Sequence, residues 1–329
     1  MKRIAFFTLG GTVSAEGKSR MDLKDYTSGL IEGDYYLQQI PELANLAEIE
    51  MIPVDNVSST EMNSNHWIRL KSEIDHYLNK ENVDGAVMTH GTNTLEETAY
   101  FLHLTINSSK PVVLIGSQRP YTALSSDAQL NLVQAFKTAV DPDSHGKGVL
   151  VAFNQKIHSA RDVTKIDTYN VDGFHSGVMG ALGYIDASHD VVYYRTPIRK
   201  HTVASQFSEM NLPQVPNVEI VYSYAGATGR VIDFIAESGE VQGIVVAGTG
   251  AGRFSKGEEK ALKRAREKGM HVVRSNRVGN GRVIPIAPFD HLDFVSGDNL
   301  NPQKARILLM LALLTEQNRS GIQEIFDVY

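Results

Sequence analysis

The chain of 329 residues contains no cysteine, which removes disulfides, thiolate nucleophiles and cysteine-based zinc sites together. Stability must come from packing. Long apolar runs are missing too: none reaches the roughly 18 residues that a membrane span needs. Basic residues are not in surplus, since 32 Lys and Arg against 38 Asp and Glu leave a net charge of −6 with the two signs interspersed. That balance argues against a nucleic-acid partner and supplies no polybasic patch for a membrane surface. No basic segment with a long apolar stretch precedes the first strand-like run, Ile4 to Leu9. No secretory signal is therefore visible, and a cytoplasmic location is the expectation, although a mature chain trimmed of its signal would read the same way. Three catalytic spellings are absent as well: the Walker A loop, His-Glu-x-x-His and the Gly-x-Ser-x-Gly elbow. Gly248, Gly250 and Gly252 follow a strand-like run, but the last glycine comes one residue early for a dinucleotide fingerprint.

What is present is an ordinary globular composition, 42% hydrophobic and 21% charged, in a chain longer than the roughly 250 to 300 residues at which single cores stop growing. Two domains are expected. Short apolar runs at Ile4 to Leu9, Glu48 to Val54, Gly85 to Met88, Pro111 to Gly116 and Gly148 to Phe153 alternate with helical patterns. In one of these, Trp67, Leu70, Ile74 and Leu78 recur at helical spacing and predict an amphipathic helix with a core-facing stripe. Such alternation implies βαβ units and a doubly wound, mainly parallel sheet. Between Tyr194 and Pro216 the pattern weakens and Pro197, Pro213 and Pro216 accumulate, which marks a linker. The predicted organisation is an N-terminal catalytic α/β domain over residues 1–194, a linker over 195–216 and a smaller C-terminal α/β domain over 217–329. The second domain is expected to carry strands at Val218 to Tyr222, Gly243 to Ala247 and His271 to Arg274, and helices at Arg230 to Glu237 and Pro302 to Leu314. Ser255 with Glu258 spells a capping box for a charged helix between them.

The strand ends carry small polar groups. Thr12 follows Gly10 and Gly11, and Ser59 and Thr60 sit in a polar loop after the second strand. Gly91, Thr92 and Asn93 lie in Thr89 to Thr94 after the third, and Lys165 closes Arg161 to Lys165. The carboxyl edge of a parallel sheet is where ligands bind in such folds. A threonine hydroxyl needs an adjacent base or proton shuttle to become a nucleophile, and a lysine desolvated among hydroxyls can serve. Each element also has a plain structural reading, as a capping hydroxyl or a surface lysine. Thr94 with Glu97 predicts a capping box at the helix that follows. The polar, Gly-containing stretch from Ser14 to about Gly33, centred on Tyr26, predicts a binding loop or lid, because loops of that length are uncommon as filler.

Four separated spellings then occur in order: Thr8-Leu-Gly-Gly-Thr12-Val, Thr89-His-Gly-Thr-Asn-Thr-Leu-Glu-Glu-Thr98, Arg161-Asp-Val-Thr-Lys165 and Asn301-Pro-Gln-Lys-Ala-Arg306. Together they resemble the bacterial L-asparaginase and glutaminase-asparaginase family over almost the whole chain. The resemblance implies a flavodoxin-like N-terminal domain, a smaller C-terminal α/β domain, and homotetramers assembled as dimers of dimers with the active site near a subunit interface. It implies Thr12 as nucleophile, Tyr26 on the lid as its activator, and Thr92 with Lys165 as a second catalytic pair. Ser59 matches a ligand of the substrate carboxylate, and Thr60, Gly91 and Asn93 fall in the substrate-binding positions. The implied reaction is amide hydrolysis through an acyl-enzyme, with a small amide as substrate and neither a metal nor an organic cofactor.

Two positions depart from the family pattern. The central motif usually reads His-Gly-Thr-Asp-Thr, and Asn93 keeps the shape of that aspartate without its charge. Ile286 stands near the position where the secreted branch supplies a glutamate from the neighbouring subunit. Both changes remove a negative partner for a substrate α-ammonium. Three readings stay open: an asparaginase, natural or carrying an engineered Asp-to-Asn change; an amidase for an asparagine derivative lacking a free α-ammonium; and a non-catalytic amino-acid-binding protein that kept the pocket.

Overall fold

The run after Lys2 forms β1 (Arg3–Thr8), whose middle residues are wholly buried, as a strand covered on both faces must be. In the computed structural model, which describes residues 1–329 apart from Ser28, Ile31, Glu32 and Asp55, β1 lies inside an eight-stranded sheet. The remaining strands of this sheet are β2 (Glu48–Pro53), β3 (Gly85–Thr89), β4 (Val112–Ile115), β5 (Val149–Phe153), β6 (Lys156–Ser159), β9 (Gly183–Ile185) and β10 (Val191–Tyr193). A separate two-stranded ribbon pairs β7 (Thr164–Lys165) with β8 (Phe174–His175). Sheet order is β10-β9-β6-β5-β4-β3-β1-β2. From β2 to β5 the strands run parallel, and β6, β9 and β10 add antiparallel pairings at the other side.

Helices of this unit are α1 (Gly33–Gln39), α2 (Glu42–Leu46), α3 (Ser64–Asn79), α4 (Leu95–Thr105) and α5 (Ala128–Val140). The stripe Trp67, Leu70, Ile74 and Leu78 is the buried face of α3, as its spacing predicts. Phe6 and Phe136 meet edge to face at 5.3 Å, joining β1 to α5 in the core beneath the sheet. This unit spans Met1–Asn211, so residues 195–211 group with it.

The second unit, Leu212–Tyr329, has a four-stranded, all-parallel sheet: β11 (Val218–Tyr222), β12 (Gly243–Gly248), β13 (His271–Asn276) and β14 (Val295–Ser296). Around it are α6 (Arg230–Ser238), α7 (Lys256–Glu267), α8 (Pro302–Ala312) and α9 (Arg319–Val328). The capping box expected at α7 is present in both halves. Ser255 Oγ accepts from Glu258 N at 3.1 Å, and Glu258 Oε2 accepts from Ser255 N at 2.8 Å.

The capping box expected at α4 is not there. Thr94 precedes α4 but makes no side-chain cap bond; its hydroxyl donates instead to the Ser59 carbonyl at 2.6 Å. A tertiary acceptor outcompetes the local cap. The predicted loop from Ser14 to Gly33 includes Ser28, Ile31 and Glu32, which lie outside the described residues; its described part is drawn together by a bridge between Glu16 and Thr27.

Candidate active site

In this sheet the chain leaves β1 for β2 on one side and returns to β3 on the other, so the crevice between the ends of β1 and β3 is a topological switch point. Thr8 and Thr89 are paired at that edge. The candidate residues follow immediately from both strands.

After β1 the backbone turns through Gly10 (φ 81°) and Gly11 (φ 89°), conformations that side chains other than glycine rarely adopt, and enters a 3-10 turn over Thr12–Ser14. A Cβ on Gly11 would fall 2.5 Å from the Gly91 Cα, and one on Gly91 would fall 2.6 Å from Ser59 Oγ. Three loops are thus packed backbone to backbone with Thr12, Ser59 and Thr92 nearly buried among them, at 8%, 4% and 5% exposure. The Thr12 hydroxyl lies 3.2 Å from the Tyr26 hydroxyl, and either can donate. Asn56 holds the far end of the Tyr26 loop, its Nδ2 donating to Gly29 O at 2.7 Å.

The β3 side is built differently. Lys165 Nζ donates to Thr92 Oγ1 at 2.8 Å and reaches Asn93 Oδ1 at 3.4 Å. The lysine itself is positioned by its backbone, since Lys165 N donates to Glu96 Oε2 at 2.7 Å. Burial holds the Lys165 amine below the ordinary lysine range, with the Asp167 carboxylate opposing. Its neutral, proton-accepting form is therefore easier to reach than on a free lysine.

Beneath this loop His90 is fully buried, and burial lowers its pKa to about 4 against the opposing bond to Gly91. A neutral ring has one N–H. Because the Gly91 carbonyl 2.7 Å from Nδ1 can only accept, that proton sits on Nδ1 and Nε2 is left as an acceptor. Thr98 Oγ1, 2.9 Å from Nε2, then donates to it and accepts from Trp67 Nε1 at 2.9 Å. The chain Trp67, Thr98, His90, Gly91 fixes the peptide on which Thr92 is carried. Sequence reading placed His90 in the loop without a role, and missed Thr98, Glu96 and Asn56 as supports of the candidate site. The spelling offered one signal, a histidine beside Gly91.

The structure brings Thr12 to Tyr26, and Thr92 and Asn93 to Lys165, with Gly91 and Ser59 packed between. It does not bring Thr60 into the cluster by any described bond: Thr60 is exposed and its hydroxyl is 2.8 Å from Ser58 Oγ. Ile286 belongs to the second unit, where it precedes a 3-10 turn over Ala287–Leu292. Among the described residues no group of three or more His, Asp or Glu side chains is arranged to hold a metal, and no helix is long and apolar enough to cross a membrane.

Two nearly buried threonine hydroxyls at the switch point, one beside a tyrosine hydroxyl and one beside a lysine amine, form a site suited to nucleophilic hydrolysis. The comparisons carry this further. Residues 3–199 match the family description "Asparaginase, N-terminal" and residues 217–326 match "Glutaminase/Asparaginase C-terminal domain". L-asparaginase 2 of Bacillus subtilis is 41% identical over 100% of this chain and 87% of its own length. The glutaminase-asparaginase of Pseudomonas fluorescens is 35% identical over 100% of this chain and 91% of its own. Among solved structures, that of a probable cytoplasmic L-asparaginase from Campylobacter jejuni superimposes with a TM-score of 0.96 at 42% identity, covering 100% of both chains. The chain belongs to the asparaginase and glutaminase-asparaginase family.

Proposed function

We propose that the protein hydrolyses the side-chain amide of asparagine to aspartate and ammonia through an acyl-enzyme on Thr12. The observation that supports this most is the pairing of two buried threonine hydroxyls at the switch point, each with its own proton partner, Tyr26 for Thr12 and Lys165 for Thr92. A pocket that only bound amino acids would have no physical need for that network. Thr12 Oγ attacks the amide carbon while Tyr26 relays its proton, and the amide nitrogen leaves as ammonia with that proton. Water, relieved of a proton by the Thr92–Lys165 pair, then adds to the ester carbon, and the threonine oxygen leaves and regains a proton. In this reading the oxyanion is received by backbone N–H groups of the Gly91–Thr92 loop. Ser59 takes the substrate α-carboxylate. The reaction as written needs no cofactor.

Asn93 favours a second reading on a specific observation. It is exposed, and it offers Lys165 a neutral oxygen at 3.4 Å where a carboxylate would offer charge. A substrate whose α-nitrogen is acylated, glycosylated or absent would lose nothing to that exchange. For asparagine itself, a missing charge-assisted bond costs roughly 1.5 to 3 kcal/mol, on the order of ten- to a hundred-fold in kcat/KM. Ammonia release from asparagine, glutamine and N-blocked asparagines, with wild type and Asn93→Asp side by side, separates the two. Asparagine turnover that rises at least several-fold in Asn93→Asp supports asparagine as substrate; no gain, with faster release from an N-blocked compound, supports the derivative.

Assembly and location belong to the same reading. Large apolar side chains stay exposed on the first unit, Tyr194 at 69% and Ile198 at 92%, which suits burial in a homotetramer built as a dimer of dimers. A cytoplasmic location is the reading adopted, in line with the probable cytoplasmic enzyme of Campylobacter jejuni, whereas a relative from Haemophilus influenzae, 40% identical, is a probable periplasmic L-asparaginase.

A further inference from the structure

The second unit contains a cavity of about 210 Å³ that the reaction above does not use. At roughly 30 Å³ per water molecule it has room for about seven waters, too little for a drug-sized ligand but enough for a small organic acid. Its innermost charge is Arg274, which is only 2% exposed. The guanidinium donates to the carbonyls of Ala251 at 3.1 Å and of Gly252 and Ile284 at 3.4 Å, and stacks over the Phe289 ring at 4.6 Å. Those bonds use three of its five N–H groups and none of them neutralises its charge. Among the described residues no carboxylate pairs with it.

Two further donors line the same space. Ser296 is 3% exposed, and while its backbone N–H and carbonyl are both bonded to Gln323, its hydroxyl has no partner among the described residues. Arg319 donates its Nε–H to the Phe294 carbonyl at 3.2 Å and leaves both terminal nitrogens without a partner among the described residues. Of the two acidic residues on the wall, Asp293 is spent on an ion pair with Arg266, and Asp290 is exposed. The uncommitted charge is therefore two guanidiniums against one carboxylate, an excess of a single positive charge. Buried cations without a counterion are rare and costly.

We propose that this cavity binds a short-chain monocarboxylic acid as its monoanion. The carboxylate sits against Arg274, Arg319 and Ser296, since a planar pair of oxygens matches a guanidinium edge. The hydrocarbon chain packs on Ile286 and Phe289. Asp290 selects against a phosphate or dicarboxylate, whose second charge it would repel.

Isothermal titration of the full-length protein with butyrate, against sodium chloride at matched ionic strength, tests this. One saturable site per chain is expected. Its affinity should fall on the order of tenfold in Ser296→Ala and in Arg319→Gln, two substitutions that add no volume, and remain in Ser59→Ala, which alters only the first unit's pocket. Arg274→Lys should abolish it if that variant folds. The proposal is overturned if butyrate binds no better than chloride, as it would if a neighbouring copy fills the cavity. Undiminished binding in both Ser296→Ala and Arg319→Gln, loss of binding in Ser59→Ala, or tighter binding of inorganic phosphate than of butyrate would each overturn it too.

Discussion

The two threonines that face the switch point are held in opposite ways. Thr92 stands between a wholly buried strand and a helix nearly all of whose residues are buried, with His90 pinned beneath it and Lys165 anchored through Glu96. Thr12 sits on a short 3-10 turn after two left-handed glycines, and its partner Tyr26 comes from a segment whose side chains are largely exposed, Met21 at 74% among them. Few buried apolar contacts mean that the described part of the Tyr26 segment is packed less tightly than the β3 side. The contrast suggests a division of labour. In the proposed reaction the attacking hydroxyl is on the lightly packed side, and the Thr92–Lys165 pair is on the densely packed one.

The largest effect that would sharpen this comparison is loss of the proposed nucleophile. Thr12→Val should lower ammonia release by about 10⁴-fold or more with an unchanged circular dichroism spectrum; retention of more than a few per cent of the rate would assign the attack elsewhere. Lys165→Met should cost on the order of 10²- to 10⁴-fold and should remove the rise in rate with pH that is expected of wild type as the Lys165 amine deprotonates. A carboxylate at position 93 favours the ammonium form, so Asn93→Asp should move that limb to higher pH. The same amine leaves a mark on stability. Folded Lys165 gives up its proton at lower pH than the unfolded chain does, so its burial penalty is fully present below the folded value and stability rises with pH between the two values. Across that window the urea midpoint of wild type should rise with pH relative to that of Lys165→Met. The smallest effect concerns Thr94, which clasps Ser59. Thr94→Val should raise KM about fivefold with little change in kcat, and Thr94→Ser, which keeps the donor, should restore it; an unchanged KM in the valine variant would leave Thr94 as a packing residue only.

Much of the first unit was legible because its signals are local. The stripe on α3 and the strand runs of β1 and β3 needed only periodicity, and the loops after them needed only their spelling. What escaped depends on contacts far apart in sequence. The hydrogen-bond chain from Trp67 to Gly91 joins residues that no local pattern connects, and Thr94 has the spelling of a cap while its hydroxyl serves Ser59. The antiparallel strands β6, β9 and β10 escaped for another reason. They are three or four residues long, and the turn into β6 uses Asn154 and Gln155 at φ 47° and 64° without the glycine that usually announces such a hairpin.

The central claim is that the acyl group is carried by Thr12, the hydroxyl on the lightly packed side of the site. Rapid acid quenching of wild-type protein turning over asparagine, followed by peptide mass mapping, tests it most directly. The account predicts an aspartyl adduct confined to the peptide containing Thr12 and absent from Thr12→Val. An adduct on the peptide containing Thr92, or one that survives in Thr12→Val, would contradict it.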